Sequence, residues 1–371
     1  MPALTQEATD KPPRMLSLDV FRGITMAFMV LVGNPGSTNI YRQLDHAPWN
    51  GWTATDTIFP TFLWIVGFSI TLSTAARLAR DTPRRTIALQ ALKRSLLLYV
   101  IGIGIYAIGN FHLDQLRLLG VLQRIAICAF VATLLYLWVP PRVQVLCILL
   151  LFAVYCVLML HISAPGHVAG DLSLQGNFAH YIDQRVLGSH NYIGTRTWDP
   201  EGILSTLPAI GTTLFGLLGG VLLRERPQQK KVQRFVLAGV FLIAASSLCT
   251  HWMPINKNLW TVPFCLLMAG IDFVVFAFLF WLTDERQWRK GLTLPLAFGQ
   301  NALGVYILSE VSGAVLWNYP TAHPFHGRIF QAVFASLASP KMSSLLYACA
   351  TLALISIAAW LMQRRGWILK L

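Results

Sequence analysis

Runs of about 18 to 25 apolar residues recur along the chain between short polar breaks. Each run is long enough to cross roughly 30 Å of hydrocarbon as an α-helix rising 1.5 Å per residue. The pattern predicts ten membrane-spanning helices, at 15–35, 58–78, 94–110, 118–138, 144–162, 203–223, 235–251, 259–282, 293–315 and 343–362. The segment 329–338 is amphipathic and too short to span, which predicts an interfacial or re-entrant piece. The expected fold class is all-α, a polytopic integral membrane protein. Spanning helices must satisfy one another's polar groups, so 15–371 is expected to form a single transmembrane domain. The opening "MPALTQEATDKP" is polar and lacks the apolar stretch of a cleaved signal, so 1–14 reads as a disordered cytoplasmic N-terminus.

Composition agrees with this pattern. Hydrophobic residues make up 55% of the chain, charged residues 12%, and mean hydropathy is +0.56, which excludes an ordinary water-soluble domain. A net charge of +13 raises nucleic acid as a partner. The charge is not spread evenly, however. It gathers in alternate loops, as Arg77, Arg80, Arg84, Arg85, Lys93 and Arg94, then as Arg224, Arg226, Lys230, Lys231 and Arg234, then around Arg286 and Arg364. Basic loops stay in the cytoplasm, so both termini are expected there and no nucleic acid is needed to explain the charge. The six cysteines all fall in apolar spans without CxxC spacing, so no metal is expected. The glycine-rich phosphate loops, HExxH and GxSxG motifs of soluble enzymes are lacking.

Candidate chemistry concentrates in three loops on the opposite side of the membrane. The first, "QLDHAPWNGWTATDT" at 43–57, holds His46, Trp49, Asn50 and Asp56. The long loop 163–202 holds Asp199 and Glu201, and "PINKNLW" at 254–260 holds Asn256, Lys257, Asn258 and Trp260. Aromatic faces stack on sugar rings while amides and carboxylates bind hydroxyls; the same tryptophans also suit an interfacial belt. Inside the spans, charge is costly and informative. Asp19 and Arg22 lie three apart on one helical face, as a local ion pair or a snorkelling arginine. Arg124, beside Gln123, sits about two turns inside the fourth span and suits a phosphate or carboxylate clamp. Asp272 and Glu310 are the other carboxylates within spans, each available to neutralise Arg22 or Arg124. A sugar transporter is the alternative that ten spans and such loops allow, although a neutral sugar leaves the buried arginines without an anion.

Six blocks in order carry a resemblance: "RMLSLDVFRGITMAFMVLVGNPGS" (14–37), "HAPWNGWTATDTIFPTFLWIVGFSI" (46–70), "LLGVLQRIAI" (118–127), "WDPEGILSTLPAI" (198–210), "INKNLW" (255–260) and "FGQNALGVYILSE" (298–310). The chain resembles the transmembrane acetyltransferase family of heparan-α-glucosaminide N-acetyltransferase, whose bacterial members include the NagX type. The resemblance implies transfer of acetyl from cytoplasmic acetyl-CoA to the amine of a glucosamine-type sugar on the opposite face. It also implies a homodimer in a bacterial inner membrane. The family's catalytic histidine, in HxxWNG, falls on His46. Its catalytic asparagine aligns with Gly33, with Asn34 next to it as the counterpart expected to donate to the developing oxyanion. The polar residues near the cofactor carry over as Asp19, Arg22 and Arg124, with Gln123 beside them. Trp49, Asn50, Asp56, Asp199, Glu201, Asn256, Lys257, Asn258, Trp260 and Glu310 are expected around the acceptor. A histidine, with an unperturbed pKa of about 6.5, suits removal of the amine proton, and Asp56 is placed to orient its ring.

Overall fold

The computed structural model describes residues 15–109, 112–225, 230–319 and 324–369; the expected N-terminal segment 1–14 lies outside them. Thirteen helices follow one another: α1 (Leu16–Gly33), α2 (Ile58–Leu78), α3 (Arg84–Gly109), α4 (Val121–Trp138), α5 (Pro141–His161), α6 (Phe178–Leu187), α7 (Thr206–Arg224), α8 (Lys231–Cys249), α9 (Val262–Phe280), α10 (Thr293–Gln300), α11 (Ala302–Asn318), α12 (Phe325–Ile329) and α13 (Pro340–Arg364). Among the described residues, nine helices are long and apolar enough to cross a membrane. The side on which α1 begins is the near face, and the side on which it ends is the far face.

Two expected spans differ from the pattern. The third begins at Arg84 rather than at 94, because the basic stretch through Lys93 and Arg94 is made of good helix formers and continues the helix. The expected ninth span is divided at Asn301, whose backbone leaves the helical region at φ −116°, ψ 26°. The Asn301 amide reaches back to the Ala297 carbonyl at 3.4 Å, a local bond that competes with the helical ladder. The segment 329–338 contributes a π-helical turn at Phe330–Phe334 after α12 and does not span.

Close contacts hold α1 against α10 and α2 against α7. A Cβ on Gly23 would lie 1.7 Å from the Pro295 carbonyl oxygen, and one on Gly299 2.0 Å from that of Asp19, so α1 and α10 touch backbone to backbone. Gly67 against Thr213 and Gly216 against Trp64 do the same for α2 and α7. Such small-residue seams replace the hydrophobic drive that lipid removes. One core, around Trp64, Phe68, Phe235, Phe264, Phe273 and Phe276, knits α2, α7, α8 and α9. A second, around Met26, Val30, Leu98, Ile105, Phe298 and Tyr306, gathers α1, α3, α4, α10, α11 and α13. Leu149 and Leu150 on α5, Phe241 on α8 and Leu354 on α13 stay exposed, as a lipid-facing surface requires.

The buried carboxylate of Asp272 neutralises neither arginine. Its Oδ1 accepts a 2.6 Å bond from Thr61 Oγ1, whereas Arg22 pairs with Asp19 at 3.0 Å and also reaches Ser69 Oγ at 3.0 Å. The local ion-pair alternative for Asp19 and Arg22 is thus the geometry found.

Candidate functional site

The His46 group is built by the 3₁₀ turn Ala54–Thr57 that leads into α2. Thr53 and Asp56 form a capping box, in which each side chain receives the other residue's backbone N–H. Asp56 Oδ2 accepts from the backbone N–H of Thr53 and of Ala47, both at 3.0 Å, and from Thr53 Oγ1 at 3.1 Å. That leaves Oδ1 for His46, whose Nδ1 lies 2.7 Å away. Asp56 is fully buried, while the His46 side chain is 57% exposed. A buried carboxylate accepting from Nδ1–H favours that tautomer and leaves Nε2 as the basic nitrogen.

Lys257 lies against this pair, with Nζ 3.0 Å from His46 Nδ1, 3.3 Å from its Nε2 and 3.6 Å from Asp56 Oδ1. Burial pushes Lys257 below the ordinary lysine range. Its turn is stitched to the histidine segment. Gly51 N–H donates to the Ile255 carbonyl at 2.8 Å, with Gly51 at φ +97°, and Asn256 Nδ2 donates to Asn50 Oδ1 at 3.2 Å. Asn256 Oδ1 in turn accepts the Leu259 N–H at 2.9 Å. Asn50 and Asn256 therefore hold the two loops together, while Asn258 makes no side-chain hydrogen bond among the described residues. Trp260 is buried and donates to Thr212 Oγ1 at 3.1 Å.

A second cluster occupies the same face. Arg117, which sequence reasoning passed over as a loop charge, meets Asp199 through Nε at 2.8 Å and NH2 at 2.6 Å, and also pairs with Glu201. Its NH1 donates to Tyr106 Oη at 3.1 Å, and its plane lies over the Tyr106 and Tyr192 rings. Burial opposes the Arg117 charge, but hydrogen-bonded Asp199 together with Glu201 holds it well above the usual guanidinium range. Asp199 and Glu201, expected to meet the acceptor, are thus committed to an arginine. A fork of two acidic residues two apart was visible in "WDPEG"; its cationic partner, more than eighty positions earlier in the chain, was not.

Trp49 belongs to the packing of the long loop. Its Nε1 donates to the Leu172 carbonyl at 3.0 Å, and its edge meets Trp198 and His180, which stack on each other at 4.5 Å. Burial pushes His180 down to about 4 from 6.5. A depressed histidine contributes stability that is whole above about pH 6.5 and is lost as pH falls toward 4, here about 3 kcal/mol. His180→Phe is expected to flatten the fall in Tm between pH 6.5 and 4, read by intrinsic-fluorescence melting in detergent. An unchanged slope would show that another group carries the acid sensitivity.

Two cavities lie end to end. The inner one, about 830 Å³, opens beside Asp19, Arg22 and Arg94 and runs along Met26, Met29 and Phe62 to Tyr306. Ile368 and Leu369, after α13, border its mouth. The outer one, about 650 Å³, is lined by Gly33, Asn34, Tyr106, Ser309, Glu310 and Trp317 among others. Met29 to Gly33 on α1, and Tyr306 to Glu310 on α11, are each one helical turn, so about 6 Å of chain separates the two linings. Arg22 thus faces the inner cavity, joined by Arg94, which the sequence pattern left in a loop. Gln123 and Arg124 line neither cavity. Arg124 NH2 donates to the Gly202 carbonyl at 3.0 Å and contacts Ser205, with its plane 5.1 Å from the Trp260 ring. Gln123 is buried under Gly102, where a Cβ would lie 2.5 Å from its Oε1. Both Asn34 amide hydrogens have acceptors, the Val30 carbonyl at 2.8 Å and Ser309 Oγ at 3.1 Å, so the donating role expected of Asn34 finds its hydrogens already used.

Helices that cross a membrane, with an inner and an outer cavity and a carboxylate-held histidine at the far face, define a polytopic membrane protein. The family model described as "Heparan-alpha-glucosaminide N-acetyltransferase, catalytic" matches residues 14–255. The heparan-alpha-glucosaminide N-acetyltransferase of Homo sapiens is 30% identical over 358 aligned positions covering 81% of this chain and 53% of that protein. The enzyme of the same name from Mus musculus is 29% identical over 356 positions, covering 80% and 53%. The chain belongs to the heparan-alpha-glucosaminide N-acetyltransferase family. It spans about half the length of the curated relatives it matches.

Proposed function

We propose that the protein is a membrane-embedded acetyltransferase that moves acetyl from acetyl-CoA, admitted at the near face, to the amine of a glucosamine-type sugar at the far face. The observation that carries this reading is the pair of cavities with opposite chemistry, separated by one helical turn. The inner lining fits the cofactor. Arg22 and Arg94 supply cations for its phosphates, and Ser69, Ser73 and Gln300 supply polar contacts along an otherwise apolar bore. When bound there, acetyl-CoA supplies an acetyl thioester that an amine can attack without another energy source.

The chain's own residues do the rest. His46 takes the amine proton on Nε2, while Asp56 holds Nδ1–H and stabilises the ring once it is charged. The neighbouring Lys257 ammonium favours negative charge developing beside the ring. The positive-inside charge bias supports a cytoplasmic near face and cytoplasmic termini. A homodimer in a bacterial inner membrane is part of the same reading.

The test uses vesicles containing the purified protein, with radiolabelled acetyl-CoA outside and glucosamine trapped inside. Label on the trapped sugar, with no CoA entering, supports the proposal. Vesicles that take up N-acetylglucosamine and transfer no label would support the transporter reading in its place.

A further inference from the structure

We propose that Tyr306 is the oxyanion donor of the acetyl transfer: its phenol O–H, at the end of the inner cavity nearest the outer one, hydrogen-bonds the thioester carbonyl oxygen as charge develops there. This rests on the function proposed above and adds which group meets that charge. Toward the outer cavity the inner lining ends in Met29 on α1, Phe62 on α2, Val121 on α4 and Tyr306 on α11. The first three offer no side-chain donor. The other polar side chains of the lining are Asp19, Arg22, Ser69, Ser73, Arg94 and Gln300, all set toward the near-face mouth. Arg22 to Met29 is about 10 Å of helix, so an extended pantetheine arm held by phosphate at Arg22 reaches that end.

Tyr306 is 7% exposed, and its ring is fixed in the core that gathers α1, α3, α4, α10, α11 and α13. Its hydroxyl nevertheless makes no hydrogen bond among the described residues, and it is not one of the unpartnered polar atoms sealed from solvent. A buried side chain with a free donor on a cavity wall takes its partner from that cavity. The start of α4 adds to the same field: Gly120 gives it no side-chain cap, and Val121 and Leu122 of its first turn line the cavity, which brings the positive end of the helix there. The donor is needed because Asn34 has spent both amide hydrogens on the Val30 carbonyl and Ser309 Oγ. In the step itself the amine nitrogen attacks the carbonyl carbon, a C–N bond forms, and the C=O π pair moves onto the oxygen that Tyr306 holds. When that pair returns, the C–S bond breaks with its electrons on sulfur, and the proton shed by the amine passes to His46. In so apolar a bore, charge on that oxygen without a donor would be costly, and a donor fixed in advance spares the reorganisation.

The experiment is difference infrared spectroscopy of acetyl-CoA, carbon-13-labelled at the acetyl carbonyl, bound to the purified full-length protein without an acceptor. In wild type the bound carbonyl stretch is expected below that of the same thioester in an aprotic solvent, and Tyr306→Phe should return it toward the aprotic position. Steady-state transfer by Tyr306→Phe should fall about 10²–10³ in kcat, with acetyl-CoA affinity within about twofold of wild type. A role in packing alone would not move the carbonyl band. A wild-type band already at the aprotic position overturns the assignment, and that reading needs no variant to fold. So does a band that Tyr306→Phe leaves in place, or a loss that falls on acetyl-CoA affinity with kcat unchanged. Absence of bound acetyl-CoA would overturn the function proposed above and this assignment with it, whereas a bound thioester with an unshifted carbonyl overturns this assignment alone.

Discussion

His46→Ala is expected to abolish acetyl transfer to glucosamine while acetyl-CoA binding stays within about twofold of wild type. A positioned general base contributes roughly 10²–10⁴ in rate, and the fall should appear in kcat. Cofactor affinity is spared because His46 lines neither cavity, whereas Arg22 and Arg94 line the inner one. Asp56→Asn should lower kcat as well, since an amide in place of Oδ1 no longer demands the Nδ1–H tautomer. The measurement is steady-state transfer beside equilibrium binding of labelled acetyl-CoA. Near-normal transfer by His46→Ala would remove the histidine from the mechanism. Loss of cofactor binding in parallel would assign it to cofactor binding.

Arg117→Met is expected to destabilise the protein by about 3–5 kcal/mol, enough to remove most of the folded population from a membrane extract. The cause is the orphaned partners. Asp199 and Glu201 are 2% and 7% exposed, and without the guanidinium two carboxylates would share a buried site. The triple variant Arg117→Met, Asp199→Asn, Glu201→Gln should recover much of that loss, because the charges are removed together. Monodispersity by gel filtration and Tm in detergent check both statements. If the single variant matched wild type in Tm, the cluster would contribute little to the fold.

The helical architecture was legible because a membrane forces a long apolar run to be a helix, and the boundaries follow the hydropathy closely. At α3 and at the α10–α11 break, hydropathy was the wrong guide. A basic helix start is indistinguishable from a basic loop in composition, and a single polar residue, Asn301, interrupts an otherwise apolar run. In the site, the pairing of His46 with Asp56 was legible because the two stand ten positions apart in one short polar loop. Arg117 and Arg94 were not legible. Their partners and cavity are assembled from distant helices, and a single sequence gives no measure of that proximity. Arg124 was legible as buried but not as to what it faces, since depth in a span fixes cost and leaves direction open.

The capping box at Thr53 and Asp56 has one more consequence. The bonds that close the 3₁₀ turn Ala54–Thr57 ahead of α2 are the same bonds that aim the carboxylate at His46. Closing the turn that leads into the second helix and arming the histidine are therefore a single event. A chain that has inserted α2 with its first turn closed already holds a correctly tautomerised ring, and fraying of that turn would disarm it. Quality control in this molecule needs no separate checkpoint for its histidine: a copy that passes as folded at this helix passes as competent there too.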